Sequence, residues 1–156
     1  MNINELLDED FVIPDLKAKD KNGVLEELSE VICSHETTID KGDLVKVLVE
    51  RERLGSTGIG DGVAIPHGKL RGIRQPLISF GRSRDGLDFD SMDGEPTHLF
   101  FLLVAPENSA GLHLKTLAKI AKVMKNRAFR KKLMEAKTRE EIHDVIVKTD
   151  DDENGD

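Results

Sequence analysis

Apolar side chains recur at helical spacing near both ends of the chain. Residues 21–36 and 40–53 each carry one apolar face, and Asp40 suits the N-cap position of the second segment. Residues 111–125 and 127–136 return to the same period, and the capping box Thr138-Arg-Glu-Glu141 opens a last helix that we expect to end at Val147. The pattern therefore predicts helices before and after the middle of the chain.

Short apolar runs typical of strands lie between these helices. They occupy residues 63–65, 77–80 and 87–89, while residues 99–105 are almost wholly apolar, as in a central strand buried on both faces. Helices around several short strands indicate an α/β (α+β) fold in which helices cover a mixed sheet.

The length of 156 residues, without internal repeat or linker, fits one domain. We place this domain at residues 1–148 and expect the acidic residues 149–156 to be a disordered tail.

Charge is distributed unevenly along the chain. The net charge is -7, and five acidic residues after residue 149 supply -5 of it. Residues 115–137 instead hold nine basic side chains and one acid, Glu135. Nucleic acid or another acidic partner would explain this basic region, but the chain has no Trp or Tyr to stack on bases. A solvated helix face is favoured, and we expect no nucleic-acid partner.

Several classes of protein are disfavoured by what the sequence lacks. No apolar run approaches the roughly 18 residues that span a bilayer, and the first residues do not resemble a signal peptide. We therefore expect a cytoplasmic protein without stable membrane insertion. The single Cys33 excludes an internal disulfide, and the histidines lack metal-ligand spacing, so neither a metal nor a cofactor is expected.

A glycine-rich segment, residues 55–62, interrupts the second helix and leads through a strand to Pro66 and His67. Glycines let backbone amides approach a phosphate, but the spacing fits neither the dinucleotide fingerprint nor the P-loop. What remains is a flexible loop beside a histidine at the end of a strand, with Ser56 and Thr57 as hydroxyl donors. This arrangement suits an anion on the imidazole. A turn histidine without chemical function is the alternative, and these residues do not decide between the two.

Arg51 and His113 are polar residues on otherwise apolar helix stripes. Arg51 continues the stripe of Leu44 and Leu48 at the helix end nearest the glycine-rich segment, and His113 lies in the first turn of a helix. Arg51 could instead interact with the terminal carbonyls of its own helix, and His113 could be a satisfied core histidine. Together with loop amides they could also stabilise a phosphoryl group carried by His67.

The stretch from Arg51 to Lys69, RERLGSTGIGDGVAIPHGK, resembles the enzyme IIA signature of the bacterial phosphotransferase system, fructose/mannitol class. The later Gly111-Leu-His113 agrees, and the resemblance spans residues 3–148. It implies a mixed five-stranded sheet between helices. It also implies that His67 accepts a phosphoryl group from the phosphocarrier protein HPr, with Arg51 and His113 flanking the phosphate. We expect residues Gly55, Ser56 and Thr57 to form the loop beside it.

Within that family the chain most resembles the nitrogen-regulatory branch. The motifs Gly-Ser-Thr-Gly-Ile-Gly and Pro-His-Gly-Lys, without an attached membrane or IIB domain, are typical of it. The resemblance implies a phosphotransferase with a paralogous, NPr-like phosphocarrier as donor and regulated proteins as targets. A sugar-specific enzyme IIA that passes phosphate to a IIB domain would look nearly the same.

Overall fold

The computed structural model describes residues 3–154, in which helices surround one sheet. The helices are α1 (Ile3–Leu6), α2 (Lys21–Cys33), α3 (Lys41–Arg53), α4 (Ala110–Met124), α5 (Arg127–Glu135) and α6 (Arg139–Asn154), with a 3-10 turn at Glu9–Phe11. The strands are β1 (Val12–Ile13), β2 (Gly58–Gly60), β3 (Val63–Ala64), β4 (His67–Leu70), β5 (Leu77–Leu87) and β6 (Thr97–Pro106). Each predicted helix is present.

The sheet is mixed and is built around β6. Its strand order is β1-β5-β6-β3-β2, and β4 also pairs with β6. β6 runs antiparallel to β5 and parallel to both β3 and β4. β3 and β4 follow one another along the same edge of β6, opposite residues 99–100 and 103–106. The six described strands therefore occupy five positions, and the predicted five-stranded sheet flanked by helices is confirmed with one strand interrupted.

Helices cover both faces of the sheet. On β5, the Ser79 hydroxyl donates to the Leu28 carbonyl of α2 at 3.0 Å. Arg82, three residues further on, donates to the Leu133 carbonyl of α5 at 2.8 Å. Because side chains alternate along a strand, α2 and α5 lie on opposite faces. α3 packs beside α2, while α4 and α6 pack beside α5.

Two of the predicted helix starts have the expected capping groups. Asp40 accepts a hydrogen bond from the Asp43 amide at 2.9 Å and caps α3. Thr138 accepts one from the Glu141 amide at 3.1 Å at the start of α6. The Glu141 carboxylate binds the Lys137 amide at 2.8 Å, one residue before the usual capping-box position.

Two predicted features in the middle of the chain are wrong. Residues 77–80 and 87–89 were expected to be separate strands, but β5 is continuous to Leu87, with a register shift after Arg82. Pairing with the long β6 outweighs the polar local sequence there. Residues 58–60, expected in a flexible loop, form β2, which pairs antiparallel with β3.

The last helix is longer than the sequence predicts. α6 runs to Asn154, although we expected the helix to end at Val147. The division into a domain of residues 1–148 and a tail of residues 149–156 stays a prediction. Extending an existing helix costs far less free energy than nucleating one, so acidic residues can continue it for another turn or two. Residues 155–156 lie outside the described part of the chain.

Candidate functional site

His67 is the first residue of β4, so it begins a strand rather than ending one. Its Nδ1 lies 2.9 Å from the backbone carbonyl oxygen of Ile65. A carbonyl oxygen only accepts hydrogen bonds, so Nδ1 carries the proton of the neutral ring. Nε2 therefore keeps its lone pair and is the nitrogen available for reaction.

Arg51 lies in the last turn of α3 and contacts this second nitrogen. Its Nε donates to His67 Nε2 at 3.3 Å, and its Nη1 donates to the Gly55 carbonyl oxygen at 2.9 Å. The guanidinium thus reaches His67 while being held by the backbone just beyond its own helix. Both sequence interpretations of Arg51, as a residue of the site and as a helix-end arginine, describe part of this arrangement.

The ring of His113 lies beside the ring of His67. His113 lies at the end of the first turn of α4 and is 5% exposed. The centroids of the two imidazole rings are 5.3 Å apart. Among the described residues, His113 Nδ1 has no hydrogen-bond partner. A buried polar atom without a partner is costly, which argues against the alternative of a satisfied core histidine.

Both rings are neutral at physiological pH. Burial lowers the pKa of His67, the bond to Ile65 raises it, and the Arg51 charge lowers it. Burial lowers the pKa of His113 to about 4, and repulsion from Lys69 and from His67, once that ring is protonated, contributes to this shift. A neutral imidazole is the form that can attack an electrophile.

The three side chains face an open cavity of about 420 Å³. Its lining consists of Val47, Glu50, Arg51, Leu54, His67, Gly68, Lys69 and His113. Gly68 allows α3 to approach β4 here, because a Cβ at this position would lie 2.5 Å from Val47 Cγ1. The cavity leaves this part of the site open to another molecule.

The loop residues Gly55, Ser56 and Thr57 precede β2, and the Gly55 carbonyl and both hydroxyls already have partners. The Gly55 carbonyl binds Arg51, and the Ser56 hydroxyl donates to the Phe89 carbonyl at 2.7 Å. The Thr57 hydroxyl donates to the Glu52 carboxylate. A direct phosphate contact by this loop stays a prediction, and the two hydroxyls would have to exchange partners to make it.

Sequence reasoning missed Glu52, whose side chain is only 6% exposed. Glu52 follows Leu48 by four residues, so it lies on the same apolar stripe that drew attention to Arg51. The same signal could have identified it.

The other histidines have structural partners. His35, His98 and His143 each have a ring nitrogen close to a backbone carbonyl, those of Val31, Ser83 and Leu7. Among residues 3–154 no cluster of His, Cys, Asp or Glu is arranged to hold a metal ion. In the same range, no helix combines the length and apolar character needed to cross a membrane.

The fold and this site define a class of small α/β proteins with two neighbouring histidines and an arginine at a sheet edge. Residues 5–149 match the model of the family described as phosphoenolpyruvate-dependent sugar phosphotransferase system, EIIA 2, and the chain belongs to that family.

Individual relatives fall into two groups. The chain is 38% identical to a nitrogen regulatory protein of Bradyrhizobium diazoefficiens, over 94% of this chain and 95% of that one. It is 36% identical to the fructose-specific EIIABC component of Bacillus subtilis, over 96% of this chain but only 24% of that longer relative. The crystal structure of nitrogen regulatory protein IIA-Ntr from Neisseria meningitidis superposes with a TM-score of 0.86 at 36% identity, covering 92% of this chain and 98% of that one.

Proposed function

We propose that His67 accepts a phosphoryl group on Nε2 from a histidine-phosphorylated carrier protein of the HPr or NPr type. The observation that carries the proposal is the hydrogen bond from Nδ1 to the Ile65 carbonyl at 2.9 Å, which leaves Nε2 unprotonated. His67 lines an open cavity, in a chain whose family consists of phosphotransfer proteins.

The transfer needs no cofactor. The lone pair of Nε2 forms a bond to phosphorus while the phosphorus–nitrogen bond of the donor breaks and its electron pair returns to the donor nitrogen. The ring of His67 gains positive charge, and the hydrogen bond from Nδ1 to the Ile65 carbonyl disperses it. No proton has to leave Nε2 before the attack.

Arg51 and His113 stabilise the transferred group in this proposal. The phosphoryl oxygens carry the negative charge, so fixed donors around them lower the barrier. Arg51 donates to Nε2 in the free protein and can donate to an oxygen once phosphorus occupies that position. His113 presents a buried ring with an unpartnered nitrogen beside it.

We further propose that the phosphorylated protein acts in nitrogen-related regulation, through target proteins whose binding depends on the state of His67. The support is the match to nitrogen regulatory proteins over nearly the full length of both chains. The similarity to the fructose-specific component favours a second candidate, a sugar-specific enzyme IIA that passes the group to a IIB domain.

Phosphorylation is tested by incubating the protein with phosphoenolpyruvate, enzyme I and the carrier, followed by mass-spectrometric site assignment. We expect acid-labile phosphate on His67 of the wild type and of His143→Ala, a control far from the cavity, and none on His67→Ala. Unlabelled wild type, or full labelling of His67→Ala, would overturn the proposal.

The two candidate outputs are separated with the labelled protein. If the protein is regulatory, pull-downs with wild type and with the charge mimic His67→Asp should recover different partners. If it serves transport, the phosphorylated protein should pass its labelled phosphoryl group to a IIB domain. Identical partner sets for both forms would count against regulation.

A further inference from the structure

Glu52 is a buried carboxylate that is paired with a lysine and with the glycine-rich loop. It lies in the last turn of α3, and its side chain is 6% exposed. Charged side chains are rarely buried to this extent unless they are paired. Lys21, the first residue of α2, supplies the countercharge, with Nζ 2.8 Å from Glu52 Oε2. The pair ties the start of α2 to the end of α3.

Two further hydrogen bonds reach Glu52 from a single residue of the glycine-rich loop. The Thr57 amide donates to Oε2 at 3.1 Å, and the Thr57 hydroxyl donates to Oε1. Thr57 is 4% exposed. The carboxylate therefore fixes both the backbone and the side chain of Thr57.

Thr57 in turn contacts the residue that orients His67. The Ile65 amide donates to the Thr57 carbonyl oxygen at 3.0 Å. The carbonyl oxygen of the same Ile65 accepts the hydrogen bond from His67 Nδ1 at 2.9 Å. A chain of hydrogen bonds thus runs from Glu52 through Thr57 and Ile65 to the ring of His67.

A second chain of contacts reaches His67 from the same loop. The Gly55 carbonyl, two residues before Thr57, holds Nη1 of Arg51 at 2.9 Å, and Nε of Arg51 lies 3.3 Å from His67 Nε2. Holding Thr57 in place also restricts where the Gly55 carbonyl can lie. Both contacts to the His67 ring thus depend on one loop position.

We propose that Glu52 is a positioning residue for His67, a buried carboxylate that holds the glycine-rich loop so that the ring keeps its Nδ1–H tautomer and its contact with Arg51. The inference rests on the proposed function for its effect on phosphoryl transfer. Its effect on the tautomer concerns the unphosphorylated protein and stands independently. Small displacements of a reacting group can slow a reaction by roughly tenfold to a hundredfold.

The experiment compares wild type with Glu52→Gln, Thr57→Val, Thr57→Ser and the exposed control Glu26→Gln. Nitrogen-15 NMR of the unphosphorylated proteins identifies the protonated nitrogen of His67, and a kinetic assay with the phosphorylated carrier gives the rate of transfer. Wild type, Thr57→Ser and Glu26→Gln should show the Nδ1–H tautomer. Glu52→Gln and Thr57→Val should show mixed tautomers and transfer roughly tenfold slower.

The outcomes separate this inference from the proposed function. A wild-type tautomer and rate in folded Glu52→Gln would overturn the inference, and the same result in Thr57→Val would do so if Glu52→Gln does not fold. Wild type that keeps the Nδ1–H tautomer but accepts no phosphate would contradict the proposed function while leaving the positioning result intact. If Thr57→Ser keeps the Nδ1–H tautomer and Thr57→Val loses it, the result would support the hydrogen-bonded chain.

Discussion

The imidazole rings of His67 and His113 lie with their centroids 5.3 Å apart and their planes inclined by 55°. One ring has its Nδ1 fixed by a carbonyl, and the other is buried with an unpartnered Nδ1. Neither ring can be charged without cost in this arrangement, because burial disfavours the charged form and two adjacent cations repel. Protonation of either ring should therefore lower the free energy of unfolding as well as remove a neutral imidazole from the site.

Stability should fall in acid because His113 is buried in its neutral form. Its pKa is about 4 in the folded protein, against about 6.5 in the unfolded chain. Above pH 6.5 His113 is neutral in both states, so it does not lower the free energy of unfolding. As the pH falls from 6.5 towards 4, the unfolded chain takes up the proton first, and the free energy of unfolding decreases. Urea unfolding at pH 7.5 and 4.5 should show wild type losing about 2 kcal/mol more than His113→Gln. Equal losses in both proteins would refute this account of His113.

Removing the charge of Arg51 should change both the titration and the reactivity of His67. The Arg51 charge lowers the pKa of His67, so Arg51→Met should raise that pKa in an NMR titration. Phosphoryl transfer should slow by roughly a hundredfold, as expected when one fixed donor is lost. Arg53→Met, which removes an exposed charge two residues away, should change neither quantity. An unaltered transfer rate in Arg51→Met would leave it a helix-end arginine only.

Gly68 should tolerate no side chain unless Val47 is shortened. An added Cβ would lie 2.5 Å from Val47 Cγ1, so Gly68→Ala must displace the Val47 side chain or move α3 away from β4. We expect a loss of about 1–3 kcal/mol in the free energy of unfolding, measured by urea denaturation. The double variant with Val47→Ala should recover part of this loss relative to the two single changes. Strict additivity would show that the two residues do not compete for space.

Two exposed leucines beside the site should contribute to carrier binding. Leu54 lines the cavity and is 84% exposed. Leu114, which follows His113 in the sequence, is 67% exposed. Exposed apolar groups around a polar site are typical of a docking surface. Leu54→Ser and Leu114→Ser should raise the KM for the carrier several-fold, with little change in kcat or stability.

Met92 provides the control for this surface, because it is 80% exposed but does not line the cavity. Met92→Ser should leave the KM for the carrier unchanged. If all three variants behave alike, the leucines have no special role in docking.

The sequence predicted which residues meet at the candidate site because two of them violate local patterns. Arg51 and His113 stand on apolar stripes, and the structure brings both into contact with His67. Glu52 violates the same stripe as Arg51 but was missed. Its partners, Lys21 and Thr57, come from other elements and give no local signal.

Tertiary contacts explain the features that the sequence did not predict. Arg82 lies in the polar run Gly-Arg-Ser-Arg-Asp-Gly, which favours an exposed loop, yet it is fully buried. Its guanidinium binds the carbonyls of Leu133 and Ala136 at 2.8 and 2.6 Å, at the end of α5. Such a helix cap, supplied from about fifty residues away, leaves no trace in the spacing of nearby residues.

The central claim is that Nε2 of His67 is the atom that accepts the phosphoryl group. Nitrogen-15 and phosphorus-31 NMR of the protein after incubation with phosphoenolpyruvate, enzyme I and the carrier tests it most directly. We predict phosphorus coupling at Nε2 of His67, with the proton still on Nδ1. A phosphoryl group on Nδ1, on another residue or absent altogether would contradict the account.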